Sequence, residues 1–479
     1  MTFTPTPEQT AIIEAARGSS DNLIIHALAG AAKTSTLVLI AKALSSTFIL
    51  ALSFNTRIRD EMKQRLPGNC EAMTLNGIGH RAWGNTIGRR LTIDKDKVYK
   101  IVSKLVEDLD ATEKGEAFSS LSEIMKAVEN GKTCGYLPTG KFSMGTGLMN
   151  DEDFFDDWLD EPPTELFRTL VREATIQSIE QAFHGICDYN DQLFMPTIFP
   201  ATFPAYPLVL VDEAQDLSSL NHAMLRKIVK KRLIAVGDEN QSIYGFRGAH
   251  QNSMNLLRKN FNMKRMDLSI SFRCPIAVVK EARWRAPSMQ WPEWAKEGSV
   301  QTVVPWNVDL IPHDAVIICR NNAPIFRCAV RLLKNGRYPE IVGQDIGKAL
   351  IKIMKKLGPL TTPRSAAVAL LAEWLEKKRE VSRDYAKAVD QAECIGVFLE
   401  QGETIGDSIA YAEHILTMAG STKLMTGHKA KGLEFDNVFI LDRGLIRMNE
   451  DQDRNLLYVM ITRAKDRLTY ISLDHFEGE

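Results

Sequence analysis

Seven cysteines, at 70, 134, 187, 274, 319, 328 and 394, are all this 479-residue chain carries, and none forms a CxxC pair. That spacing excludes a zinc ribbon and a disulfide framework and points to reduced, mostly buried thiols. Nowhere does an uninterrupted apolar run reach the roughly 18 residues of a membrane span. The opening MTFTPTPEQ also lacks the basic flank and apolar stretch of a secretory leader. A cytoplasmic protein without a membrane partner is therefore expected. Excess charge is missing too: 59 basic against 60 acidic residues leave a net charge of −1, so a nucleic-acid partner must be met by a local groove. His80, His222 and His313 have no metal-ligand spacing.

What is present is an α/β texture on a chain long enough for two to four domains. The apolar LIIHALAG (23–30) followed by the helically spaced TSTLVLIAKAL reads as strand, tight loop and helix. FILALSFN (48–55) reads as a second strand, and a helix carrying IRDEMKQRL stops at Pro67-Gly68. Long mixed-charge helices and an acidic, Gly-rich loop fill about 85–200, before strand texture returns at YPLVLVDEAQ (206–215) and RLIAVGDENQ (232–241). A further α/β pattern begins after about 262, with strands at DAVIICRNN, NVFILDRG and LTYISLD and a mainly helical stretch at 345–418.

Chemistry concentrates where these strands end. Ala27-Leu28-Ala29-Gly30-Ala31-Ala32-Lys33-Thr34 stands between a strand and a helix start, where backbone N–H groups and the positive helix end hold phosphates. In a P-loop at that place, Lys33 reaches the β- and γ-phosphates and the Thr34 hydroxyl ligates Mg²⁺. Asp212-Glu213 supplies one carboxylate for Mg²⁺ and a second as general base on water, although an isolated acidic pair is as readily a solvated turn. Gln241 can touch both γ-phosphate and attacking water. Beside it, Tyr244, Phe246 and Arg247 offer aromatic and cationic faces to unpaired bases. The basic runs 226–232, 348–356 and 376–380 read as solvated helix faces.

Eight such strings, taken in order, resemble the motifs of superfamily 1 helicases of the UvrD/Rep branch. They are PTPEQ with ALAGAAKTS, LSFNTRIRDEM, MTLNGIGHRAW, VDEAQD, VGDENQSIYGFRGA, SISFRCP, MTGHKAKGLEFDNVFIL and RNLLYVMITRAKDRL. The resemblance implies two RecA-like P-loop NTPase domains with parallel sheets, a helical insertion in the first and a reduced one in the second. It divides the chain into 1–84 with 201–261, an insertion at 85–200, then 262–344 with 419–479, and an accessory insertion at 345–418. ATP and Mg²⁺ would bind between the RecA-like domains. The residues of 27–34 would cradle phosphates, Gln9 would read the adenine edge, Phe272 would pack on adenine, Glu434 would hold the ribose, and Arg273 and Arg463 would act as arginine fingers. Phe54, Asn55, Asn76, Tyr244, Phe246, Arg247 and His428 would contact single-stranded DNA. The activity implied is ATP-dependent 3′ to 5′ movement on single strands and at junctions with duplex, of use in DNA repair or replication.

Three departures bear on that expectation. Alanine stands at 27 and 32 where the phosphate loop usually has glycine, and a positive φ at 32 would cost alanine about 1–2 kcal/mol. Asn76 and Asn455 replace a histidine and an arginine. The short interval between SFRCP and MTGHKAKG leaves room for only a reduced accessory domain. Two alternatives follow: a translocase that strips proteins from single strands with little unwinding, and a catalytically dead DNA-binding module. No fused nuclease is expected, because the chain ends soon after ITRAKDRLTYISL.

Overall fold

The computed structural model describes residues 4–156, 164–245, 252–381 and 385–478. It divides into two compact units, Met1–Ala27 with Ala32–Leu268, and Leu28–Ala31 with Ser269–Glu479.

In the first unit β1 (Leu23–Ala27), β2 (Ile49–Ser53) and β3 (Cys70–Thr74) precede the helical insertion, which carries the two-residue strands β4 (Thr92–Ile93) and β5 (Ile186–Cys187). Then come β6 (Tyr206–Val211), β7 (Val229–Gly237) and β8 (Lys264–Leu268). The main sheet has the order β3-β2-β6-β7-β1-β8 and is parallel throughout. All five residues of β1 and of β2 are buried, as their unbroken apolar strings predict for strands covered on both faces. Strand β8 lies beyond the boundary expected at 261. Although polar, KRMDL pairs with β1 from Leu23↔Lys264 to Ala27↔Leu268, and the compact unit runs to Leu268. An edge position tolerates such polar residues.

The insertion is helical as expected, with Lys97–Glu107, Ala111–Cys134 and Glu165–Phe183 packed on an apolar core that includes Val102, Val128 and Val171. The acidic stretch expected as an exposed loop is in part a helix, Asp151–Asp156, because Phe154 stacks on Tyr136 at 4.4 Å and buries its ring. Beneath these helices lies a closed set of charges. Lys97 Nζ donates to Asp191 Oδ2 at 2.6 Å and to the carbonyls of Ser178 and Ile186, while Lys132 Nζ donates to Asp188 Oδ2 and Ser178 Oγ. These bonds fix the 188–191 turn, whose Tyr189 carbonyl accepts from Asn76 Nδ2 at 2.9 Å.

In the second unit β9 (Ser299–Thr302), β10 (Val316–Cys319), β11 (Pro339–Ile341), β12 (Thr422–Thr426), β13 (Phe435–Leu441) and β14 (Ala464–Ile471) form a parallel sheet ordered β11-β12-β10-β13-β14-β9. Helices Gln344–Leu357, Arg364–Val381, Tyr385–Leu399 and Ile405–Thr417 occupy the expected accessory stretch. Their Leu350, Phe398 and Ile405 share one core with Ile317, Leu424 and Phe439 of the sheet.

Candidate functional site

Five strands of the first sheet end beside residues singled out from the sequence, which places these on its carboxyl edge, where open α/β sheets bind ligands. Strand β1 runs into a turn closed by the Ala31 N–H donating to the Leu28 carbonyl at 3.0 Å, and helix Lys33–Ala43 follows. Among the described residues no side chain caps that helix, which leaves its first N–H groups and its positive end available to an anion. Ala32 is left-handed, with φ 56° and ψ 42°. The condition set by the sequence is therefore met: the position wants glycine, and alanine bears the strain.

Across from this loop Thr34 Oγ1 donates to Asp212 Oδ2 at 2.7 Å, and Lys33 Nζ lies 3.7 Å from Glu213 Oε1. Among the described residues the Lys33 ammonium donates no hydrogen bond. Glu213 is a second left-handed residue, at φ 53° and ψ 43°, its N–H donating to Asp212 Oδ1 at 2.9 Å. That conformation turns the chain sharply at the end of β6 and sets the two carboxylates on one spot. Burial, and then the neighbouring Glu213 charge, push the Asp212 carboxyl up to about 6.

Gln241 sits in the turn after β7, Nε2 donating to Asp238 Oδ2 at 2.7 Å. Asp238 was not singled out from the sequence. It is 2% exposed, burial raises its carboxyl above the usual range, and it holds Gln241 in place. Its signal was an acid at a strand end in GDENQ, the same grammar as VDEAQD. Gln215, also missed, accepts from the Asp238 N–H through Oε1 at 3.0 Å and donates to Glu213 Oε2. Its approach requires Gly237, where a Cβ would stand 2.5 Å from Gln215 Oε1. Gln9 is wholly buried, accepting from the Thr6 N–H and donating to Thr36 Oγ1 at 3.0 Å, so its amide ties helix Pro7–Gly18 to helix Lys33–Ala43.

Of the expected DNA-facing residues, Phe54 and Tyr244 lie with rings parallel to within 4° and centroids 6.0 Å apart, and Phe54 is 39% exposed. Asn55 is occupied as the cap of helix Thr56–Arg65, accepting from the Ile58 N–H at 2.9 Å. Phe246 and Arg247 lie outside the described residues.

In the second unit Arg273 Nε donates to Glu434 Oε1 at 2.7 Å, and Phe272 stacks on the exposed ring of Trp294 at 6.3 Å. Arg463 is 1% exposed. Its guanidinium donates to the carbonyls of Val459 and Leu433 and to Thr462 Oγ1, and burial, with Arg273 next, lowers it to about 9. His428 is half-buried in the short helix Gly427–Ala430 at the end of β12. Asn455 accepts from Arg285 Nε and Nη2 at 2.9 and 2.7 Å.

A model described as the UvrD/REP helicase N-terminal domain matches residues 6–262, and one described as the UvrD-like helicase C-terminal domain matches 423–471. F-box DNA helicase protein 1 of Schizosaccharomyces pombe is 23% identical over 513 residues, which cover 97% of this chain and 57% of that protein. F-box DNA helicase 1 of Gallus gallus is 26% identical over 94% of this chain and 47% of its own. DNA helicase II of Escherichia coli is 22% identical over 52% of this chain and 36% of its own. The chain thus spans about half the length, or less, of these relatives.

Proposed function

From the membership of this chain in the UvrD/Rep helicase family, we propose that it is an ATP-dependent DNA helicase that moves 3′ to 5′ along single-stranded DNA and works at junctions with duplex. The observation that carries the catalytic reading is the Lys33 ammonium, largely buried at 12% exposure, 3.7 Å from one carboxylate and, among the described residues, donating to no acceptor. A buried ammonium with unfilled donors is costly unless something else supplies acceptors, and phosphate oxygens at an uncapped helix start do so.

The donor set also suits Mg²⁺, a hard cation that takes one or two protein oxygens and completes its shell with phosphate and water. Thr34 Oγ1 and Asp212 are those oxygens. When bound, Mg²⁺ and ATP supply the scissile phosphoanhydride and the charge that neutralises its oxygens. Lys33 then donates to the phosphates, Glu213 accepts the proton of the attacking water, and Gln241, held by Asp238, orients that water. For Arg273, a donor to phosphate, and Glu434, an acceptor from the ribose hydroxyls, the roles rest on their motifs, and the two side chains pair with each other in the second unit. For Arg463 a phosphate role rests on the motif alone, since three acceptors hold its guanidinium. Phe54 and Tyr244 stack on unpaired bases, a contact indifferent to sequence.

A second reading is favoured by one observation. The helices at 344–417 share their core with the second sheet, so the accessory insertion is a buttress of that domain and not a separate body. A motor built this way translocates and strips proteins while unwinding weakly.

The test is ATP hydrolysis with Mg²⁺, with and without single-stranded DNA, for the wild type and Lys33→Ala, followed by strand separation on duplexes tailed at either end. DNA-stimulated hydrolysis abolished in Lys33→Ala is expected, with unwinding only from a 3′ tail. Hydrolysis without unwinding on either tail selects the translocase. Folded protein that hydrolyses no ATP overturns the motor and leaves the binding module.

A further inference from the structure

Helix Leu75–Ile87 presents Asn76 at its first turn. One turn further on, from His80 to just past the C-terminal end of the same helix, lies a cavity of about 570 Å³ lined by His80, Arg81, Asn85, Arg89 and Arg90 over a glycine floor at Gly84 and Gly88. Among the described residues no carboxylate lines it. Arg81 is already neutralised, donating to Glu71 at 2.6 Å. Arg89 and Arg90 are exposed and, among the described residues, meet no acidic partner. His80 Nδ1 faces Gln192 Nε2 at 3.0 Å. Since the amide nitrogen only donates, the ring accepts there and its Nε2–H remains a donor.

In a chain of net charge −1, an open concavity lined by two unpaired guanidiniums, an imidazole donor and an amide is a site for an anion. Arginine forks match the paired oxygens of a phosphate. We propose that this cavity binds the phosphodiester backbone of DNA beyond the Phe54–Tyr244 platform, as a second grip on the same nucleic acid. The inference rests on the DNA-binding function proposed above. Arg89 and Arg90 follow the C-terminal end of the helix, about 17 Å along its axis from Asn76 at 1.5 Å per residue, which is about five nucleotides at the 3.4 Å rise of a stacked strand, so a strand long enough to reach both ends of the helix is held at two places. The phosphates come either from continuing single strand or from an adjoining duplex, and the chemistry at the arginines is the same.

The experiment compares the wild type, Arg89→Ala/Arg90→Ala and Arg89→Lys/Arg90→Lys in equilibrium binding to three DNAs over a series of salt concentrations. These are single strands of about 5 and about 20 nucleotides and a duplex whose single-stranded tail is only about 5 nucleotides, chosen against the five-nucleotide span. For the alanine pair the slope of log affinity against log salt should shrink by about 1.4 on the long strand or about 1.8 on the duplex. Whichever DNA responds identifies the source of the phosphates. Binding to the short strand and hydrolysis without DNA should stay at wild-type values, and the lysine pair should recover most of the slope. Unchanged slopes on all three DNAs, with the wild type binding normally, overturn the second grip. An equal loss on the short strand overturns it as well, since the arginines would then belong to the platform. A wild type that binds none of the three removes the DNA-binding function itself.

Discussion

Lys97 and Lys33 are both lysines set against carboxylates inside the first unit, yet their surroundings follow opposite rules. Lys97 Nζ fills all three donors, at 2.7, 2.8 and 2.6 Å, and its partner Asp191 is reached from the other side by Lys132. None of Lys97, Lys132, Asp188 and Asp191 has a positive φ. Lys33 has one carboxylate at 3.7 Å and stands between two left-handed residues, Ala32 before it and Glu213 opposite. A charge cluster that closes on itself specifies the fold, whereas one held open by a strained backbone awaits a ligand.

The comparison breaks most visibly under deletion. Asp191→Ala strands two ammoniums in a dry interior and should cost about 3–5 kcal/mol, read as a lowered urea midpoint of the first unit. Lys33→Met should cost about 1 kcal/mol or less, while DNA-stimulated ATP hydrolysis falls by at least about 100-fold. If Lys33→Met destabilised as much as Asp191→Ala, the distinction between closed and open clusters would be lost.

Opposite pH signatures sharpen it. For Asp191 burial alone would raise the carboxyl, but the ammoniums of Lys132 and Lys97 outweigh burial and hold it below its ordinary value. Its contribution to stability is present above that ordinary value and is lost on acidification. Asp212 is pushed up to about 6 by burial and by Glu213. Between its ordinary pKa of about 4 and this raised value the folded protein keeps a proton that the unfolded chain releases, so its contribution falls as pH rises through that window and levels off above it. Thermal melts without Mg²⁺ should show the wild type losing ground to Asp212→Asn from about pH 4 to pH 6, with a constant gap beyond. A gap that is flat across the window would mean that Asp212 titrates as an ordinary carboxylate.

Much of this architecture was legible because the motifs are contiguous. Buried strands such as LIIHA and LVLV announce themselves by unbroken apolar strings, and the acids, lysine and glutamine sit directly at their ends. Less could be read where partners are distant or patterns polar. Strand β8, KRMDL, looks like a loop until β1 is beside it. The Lys97–Asp191 pair is separated by 94 positions. Arg463 shows its fingerprint in the sequence but not its burial, which depends on carbonyls of two other elements. Backbone sign at Glu213 was equally hidden, since an L-residue string carries no mark of a left-handed turn; at Ala32 only the glycine usual at that place hinted at it.

The smallest effect tests the strain itself. If Ala32 is held at φ 56° by the loop, Ala32→Gly relieves about 1–2 kcal/mol of steric cost. Glycine gives back about 0.4–1 kcal/mol through the freer unfolded chain. The net should be a gain between about 0 and about 1.6 kcal/mol, visible as a slightly higher melting temperature, with the KM for ATP unchanged or lower because the phosphate loop no longer resists its own conformation. Ala32→Val, β-branched and far less tolerant of positive φ, should lose both stability and ATP affinity. The carbonyl of Ala32 accepts from the Thr36 N–H at 2.9 Å and from Thr36 Oγ1 at 3.0 Å, so helix Lys33–Ala43 has a stake in keeping this residue where it is. Should Ala32→Gly instead lower the melting temperature, loop order would matter more here than steric relief, and the open cluster would owe its geometry to the methyl group and not despite it.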